Sequence, residues 1–252
     1  MEWEFCGSEE LVIKLGLRLI AVDRPGMGLS DFQLNRHFGD WPADVKELAD
    51  ALGLERFSVL GFSGGTPYAL TCALKIPERL ISVGLVGIEA PFSLPGMTQD
   101  INQQSLQFLK LNRDKPWLAR LIQTMMGLTA RLAPASLIAQ SLSALPEPDK
   151  AVLAQPKVRK AFLHMIQESM RRGTHGPQVD TALMVSPWDF NPADIRTLVQ
   201  MWQGEKDVDA PPVMARYMNS TIPDSKITFY PEEGHLSVLV NHLEEILTTL
   251  IS

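Results

Sequence analysis

The chain has 252 residues, of which 45% are hydrophobic and 21% charged, and a formal net charge of −6, a balance typical of a globular protein that buries its own core. The acidic balance disfavours a nucleic-acid partner, which needs a basic face, and no run of about 20 uncharged apolar residues predicts a membrane span. Two cysteines without metal-ligand spacing, and no secretory signal, predict a cytoplasmic protein without a metal or organic cofactor.

Short apolar runs alternate with amphipathic segments along the chain. The pattern predicts helices over 8–15, 41–54 and 66–77 and buried strands over 15–23, 56–62 and 80–87. After a long stretch of purely helical periodicity, it predicts strands over 195–204 and 226–230 and a last helix over 236–251. Strands that alternate with helices in this way form crossovers and a parallel sheet. We therefore predict an α/β fold, with a mostly parallel sheet and flanking helices, whose core (residues 1–92 and 187–252) is interrupted by a helical cap insertion (residues 93–186).

A glycine-flanked serine stands between the strand predicted over 56–62 and the helix that follows it. The segment reads "GFSGG", with Gly61 and Gly65 two residues either side of Ser63. A serine hydroxyl is a weak nucleophile and must stand exposed beside a base, which a sharp strand-to-helix turn achieves. The backbone N–H of Gly64 opens the helix and is a candidate oxyanion donor. The context predicts that Ser63 is a catalytic nucleophile.

A catalytic serine also needs a base and an acid, and the loops after the last two predicted strands offer both. His235 lies in "PEEGHLSV", before the last helix, and Asp207 lies in "MWQGEKDVDAPP". The carboxyl ends of parallel strands share one edge of a sheet, where catalytic groups gather. We predict that His235 is the base and that Asp207 orients it. Asp209 and Glu205, in the same loop, remain alternatives for the acid.

Four segments in this order resemble the α/β-hydrolase fold superfamily, in its serine-nucleophile esterase and peptidase-like branch. They are "DRPGMGLSD" (23–31), "GFSGG" (61–65), "WQGEKD" (202–207) and "EEGHLS" (232–237). The resemblance implies that Ser63 is the nucleophile, Asp207 the acid and His235 the base. A serine at position 63 argues against the haloalkane dehalogenase and epoxide hydrolase branches, which use an aspartate there.

The sequence departs from the superfamily before "DRPGMGLSD". Superfamily members carry a further strand there that ends in a His-Gly-x-Pro-Gly loop, which supplies the second oxyanion donor, and two more strands usually precede it. We expect a chain that lacks these amino-terminal strands, either as a truncated form, which we favour, or as a genuinely short one.

The residues and the resemblance together favour a serine hydrolase. It would cleave an ester, thioester or amide of a small, partly apolar substrate through an acyl-enzyme, and Phe62 would flank the substrate pocket. A non-catalytic, ligand-binding relative and an acyltransferase or perhydrolase on the same residues remain alternatives. The sequence does not distinguish water from peroxide or another acyl acceptor, and it predicts no oligomeric state.

Overall fold

The computed structural model describes residues 8–251, which contain four β-strands and eleven α-helices. The strands are β1 (Phe57–Phe62), β2 (Leu80–Val86), β3 (Val199–Gly204) and β4 (Ser225–Tyr230). The helices are α1 (Ser8–Lys14), α2 (Trp41–Ala51), α3 (Thr66–Lys75), α4 (Gln103–Asp114), α5 (Pro116–Leu132), α6 (Pro134–Ala144), α7 (Glu147–Leu153), α8 (Pro156–Ser169), α9 (His175–Val185), α10 (Pro212–Thr221) and α11 (His235–Ile251).

The four strands form one parallel sheet in the order β1-β2-β3-β4. Leu85 on β2 pairs with Gly61 on β1 and with Met201 on β3, and Met201 pairs in turn with Ile227 on β4. Parallel neighbours need a crossover connection, and α3 and α10 supply it between β1 and β2 and between β3 and β4. All four strands therefore end at the same edge of the sheet, which confirms the predicted α/β fold.

The core of the sheet lies on the two central strands. Val83, Leu85, Val86 and Val199 have no exposed surface, and Met201 is 1% exposed. Helices α3 and α11 both contact the central strand β2, and α11 also contacts β3. Strands buried in this way read as continuous apolar runs, which is why the sequence predicts them well.

The strand predicted over 15–23 does not form. Residues 17–24 have no regular secondary structure, and Leu19, Ile20 and Val22 are 44%, 38% and 39% exposed. A strand is stable only when a neighbouring strand satisfies its backbone N–H and C=O groups. An apolar run supplies the side chains of a buried strand but not this hydrogen-bonding partner, and the prediction of a strand here was wrong.

The described residues divide into two compact units. One contains residues 36–101 and 186–251 and carries the whole sheet, and the other joins residues 8–35 to 102–185 and is helical. The predicted boundaries of a cap at 93–186 stay a prediction, and residues 8–35 group with these helices rather than with the sheet. Within residues 8–251, every helix falls short of the length and hydropathy that crossing a bilayer requires.

Candidate active site

Ser63 directly follows β1 at the carboxyl edge of the sheet and begins a short 3-10 turn, Ser63–Gly65, that leads into α3. Its φ of +53° lies in the left-handed region, which costs a non-glycine residue about 1–2 kcal/mol. The turn is so tight that a Cβ at Gly61 would lie 2.7 Å from the carbonyl oxygen of Gly65. Ser63 thus has the left-handed backbone and the strand-to-helix position that a nucleophile turn requires.

Asp207 and His235 form a buried hydrogen-bonded pair. Nδ1 of His235 lies 2.7 Å from Oδ2 of Asp207, and the two residues are 6% and 3% exposed. A carboxylate only accepts hydrogen bonds, so the imidazole donates from Nδ1 and leaves Nε2 as its basic nitrogen. The two residues that the sequence predicts as acid and base are therefore in direct contact.

Three further hydrogen bonds hold the Asp207 carboxylate in place. Its Oδ1 accepts from the backbone N–H groups of Asp209 and Ala210, at 2.9 and 2.8 Å, and its Oδ2 accepts from Nε2 of Gln203 at 3.0 Å. Of the alternative acids, Glu205 instead accepts hydrogen bonds from Arg216 at 2.7 and 2.9 Å. The structure thus brings Asp207 to His235 from among the three candidates.

Gln203 is a residue that the sequence analysis missed. It has no exposed surface, and besides Asp207 its amide Nε2 donates to the carbonyl of Ala210 at 2.9 Å. Its Oε1 accepts from the backbone N–H of Ile88, just beyond β2, at 2.8 Å. Gln203 therefore joins the loop that carries Asp207 to the loop after β2. A glutamine within an apolar strand was the only signal of this role in the sequence.

Two glycines make room for the His235 loop and for the imidazole ring. A Cβ at Gly204 would lie 2.4 Å from the carbonyl oxygens of Glu233 and Gly234, so the loop crosses directly over the end of β3. Gly87, with φ of +56°, lies under the ring, and its Cβ would be 2.9 Å from Cε1 of His235. Side chains at these two positions would displace the imidazole.

The loop before His235 is tied to helix α11. Oγ of Ser237 accepts from the backbone N–H of Gly234 at 2.7 Å, and Asn241 and His242 both hydrogen-bond the Glu233 carboxylate. Partial burial raises the pKa of Glu233, but hydrogen bonds from Ser237, Asn241 and His242 to its charged form outweigh burial and leave the pKa below its usual value. His242 is thus a structural partner of Glu233.

Phe62 and Glu89 complete the surroundings of Ser63 and His235. The rings of Phe62 and His235 are 4.9 Å apart, so the histidine lies beside the residue that precedes Ser63. The hydroxyl of Ser63 donates to Oε1 of Glu89 at 3.3 Å, and the Cβ position of Gly64 is 4.0 Å from Oε2 of Glu89. The sequence analysis did not identify Glu89, although it follows the end of β2 by three residues.

Comparison with known proteins agrees with this architecture. A model of the alpha/beta hydrolase family matches residues 2–248. The chain belongs to the alpha/beta hydrolase family. An esterase from Exiguobacterium antarcticum, 21% identical, superposes with a TM-score of 0.66 over 97% of this chain and 84% of its own. At this identity the likeness to the esterase shows the alpha/beta hydrolase fold alone.

The curated relatives match over shorter segments. A serine hydrolase-like protein of Dictyostelium discoideum is 33% identical over 84 residues, which are 31% of this chain and 23% of the relative. A 2-hydroxy-6-oxo-2,4-heptadienoate hydrolase of Pseudomonas putida is 34% identical over 76 residues, 28% of either chain. The matched segments thus span about a quarter of the length of these relatives of the alpha/beta hydrolase family.

Proposed function

We propose that the protein is a serine hydrolase that cleaves an ester, thioester or amide of a small, partly apolar substrate. The observation that carries the proposal is the buried hydrogen bond between Asp207 and His235, at the sheet edge where the strained Ser63 also lies. Membership of the alpha/beta hydrolase family supports a hydrolytic reaction. The names of the esterase and serine hydrolase-like relatives agree with this class of reaction.

In the proposed reaction, Ser63 Oγ attacks the carbonyl carbon of the substrate while Nε2 of His235 takes the hydroxyl proton. The tetrahedral intermediate collapses to an acyl-enzyme, and the imidazolium returns the proton to the leaving alcohol, thiol or amine. Water then attacks the acyl carbon with the same histidine as base, which releases the acid and regenerates Ser63. Asp207 holds the Nδ1–H tautomer throughout and stabilises the imidazolium.

The remaining predicted site residues have supporting roles in this proposal. The backbone N–H of Gly64 follows the nucleophile and would donate to the developing oxyanion, an interaction whose loss typically lowers kcat by about 10²–10³. Phe62 packs against the imidazole of His235, and we propose that the free part of its ring also contacts the substrate. The half-buried ring is well suited to an apolar acyl or alkyl group.

Labelling with a fluorophosphonate probe, together with turnover of a short-chain aryl ester, tests the proposal. The unmodified protein should be labelled and should turn over the ester, and Ser63→Ala should lose labelling and at least about 10³ of kcat/KM. Ser220→Ala is the matched control, because Ser220 is exposed on α10. A folded protein that shows neither labelling nor turnover, or equal labelling of Ser63→Ala, would refute the proposal.

A further inference from the structure

The carboxylate of Glu89 lies at the nucleophile of the proposed reaction. Its Oε1 accepts the hydrogen bond from Ser63 Oγ at 3.3 Å, and its Oε2 is 4.0 Å from the Cβ position of Gly64, the residue with the proposed oxyanion donor. Glu89 is half-buried and follows β2, whereas Asp207 follows β3 and His235 follows β4. The serine hydrolase mechanism proposed above makes no use of this carboxylate.

Three hydrogen bonds hold the backbone of the loop after β2 as far as Glu89. The N–H of Gly87 donates to the carbonyl of Trp202 at 3.2 Å, and the N–H of Ile88 donates to Oε1 of Gln203 at 2.8 Å. The N–H of Glu89 itself donates to Oγ1 of Thr66, which has no exposed surface, at 3.3 Å. The carboxylate of Glu89 is thus attached to a part of the backbone that is hydrogen-bonded to Trp202, Gln203 and Thr66.

Two carboxylates therefore lie beside the groups that would react. Asp207 accepts hydrogen bonds from His235, from Gln203 and from two backbone N–H groups. Glu89 accepts a hydrogen bond from the Ser63 hydroxyl, the group to which a substrate would be joined. We propose that Glu89 makes the site selective for substrates with a cationic group near the scissile carbonyl, such as a quaternary or protonated amine, and disfavours anionic ones. The inference rests on the proposed function of Ser63.

The distance from Glu89 to Ser63 sets the size of the effect. In the acyl transfer step the carbonyl carbon bonds directly to Oγ, so groups a few bonds from that carbon lie on the order of 4–7 Å from the carboxylate. Opposite charges at such distances near a protein surface attract appreciably, and like charges repel to the same extent. We expect a preference of about tenfold to a hundredfold in kcat/KM for a cationic substrate over its neutral isostere, with a comparable loss for an anionic one.

Three thioesters of one acyl group test this selectivity. Acetylthiocholine carries a quaternary cation, its 3,3-dimethylbutyl analogue is the neutral isostere, and the acetyl thioester of 3-mercaptopropionate is anionic. The readout is thiol release and, from it, the ratio of kcat/KM between substrates for each protein. Glu89→Gln removes the charge but keeps the size and hydrogen bonding of the side chain. Glu89→Asp keeps the charge and serves as the matched variant.

We expect the unmodified protein and Glu89→Asp to prefer the cationic thioester and Glu89→Gln to bring the cationic-to-neutral ratio close to one. Since each ratio compares two substrates on one protein, a general loss of activity or of fold does not produce this result. A ratio near one in the unmodified protein, or a preference that persists in Glu89→Gln, would overturn the assignment to Glu89 and leave the proposed hydrolase intact. Absence of both thioester turnover and fluorophosphonate labelling would overturn both.

Discussion

The substitution Gly87→Ala tests whether the imidazole of His235 must lie where it does in the structure. The added Cβ would be 2.9 Å from Cε1 and 3.0 Å from Nδ1 of His235, and 3.3 Å from the ring of Phe62. Ordinary contacts between such atoms begin near 3.4 Å, so the ring has to move by roughly 0.5–1 Å. A displacement of about 1 Å at a catalytic group lowers the rate of an enzymatic reaction by a factor on the order of 10².

The same substitution also costs stability. An alanine at φ of +56° loses about 1–2 kcal/mol to the left-handed backbone conformation, and the forced contact with His235 adds about 1–3 kcal/mol. Gly53→Ala is the matched control, because Gly53 has φ of +67° and nothing within 4 Å of its Cβ position. Gly53→Ala should lose only the unfolding free energy of about 1–2 kcal/mol that the left-handed backbone conformation costs.

The two variants are compared by urea unfolding and by kcat/KM for a short-chain aryl ester. We expect Gly87→Ala to lose about 10² in kcat/KM, mainly in kcat, and about 2–5 kcal/mol of unfolding free energy. Gly53→Ala should keep the kcat/KM of the unmodified protein at a temperature where it is folded. Equal activity of the two variants would show that the reaction does not depend on the position of the His235 ring and would refute this reasoning.

Three other predictions concern Gln203, Cys72 and Glu233. Gln203→Leu should lower the unfolding free energy by about 1–3 kcal/mol, since it leaves the buried N–H of Ile88 without its acceptor, and should lower kcat more than it raises KM; unchanged kcat would exclude a role in orienting the acid. Burial raises the pKa of Cys72 to about 12. In a Cys6→Ser variant, the Cys72 thiol should therefore resist a thiol reagent at pH 8 until denaturant is added, and fast labelling of the native protein would contradict its burial. Glu233→Gln should lower the unfolding free energy by about 1–2 kcal/mol at pH 7. Because hydrogen bonding holds the pKa of Glu233 below its usual value, the difference in unfolding free energy between the two proteins should shrink as pH falls below about 4. A difference that does not change with pH would refute this prediction.

The site is less predictable from the sequence than the fold. Ser63, Asp207 and His235 are each found by their place after a strand, because parallel strands bring those places to one edge. The choice of Asp207 over Glu205 depends on hydrogen bonds from Gln203 and from the backbone, whose partners lie in the folded loop. Its contact with His235 across 28 residues likewise exists only in the folded protein.

The sequence by itself determined the four strands of the parallel sheet and the serine turn, because apolar periodicity and glycine spacing are local properties of the chain. Only the tertiary structure decided that residues 15–23 form no strand, since a strand depends on a hydrogen-bonding neighbour that an apolar run cannot supply. It also decided the place of Glu89, whose carboxylate reaches Ser63 because β1 and β2 pair in register as far as Phe62 and Val86. Contacts of this kind follow from the pairing of whole strands rather than from the residues on either side.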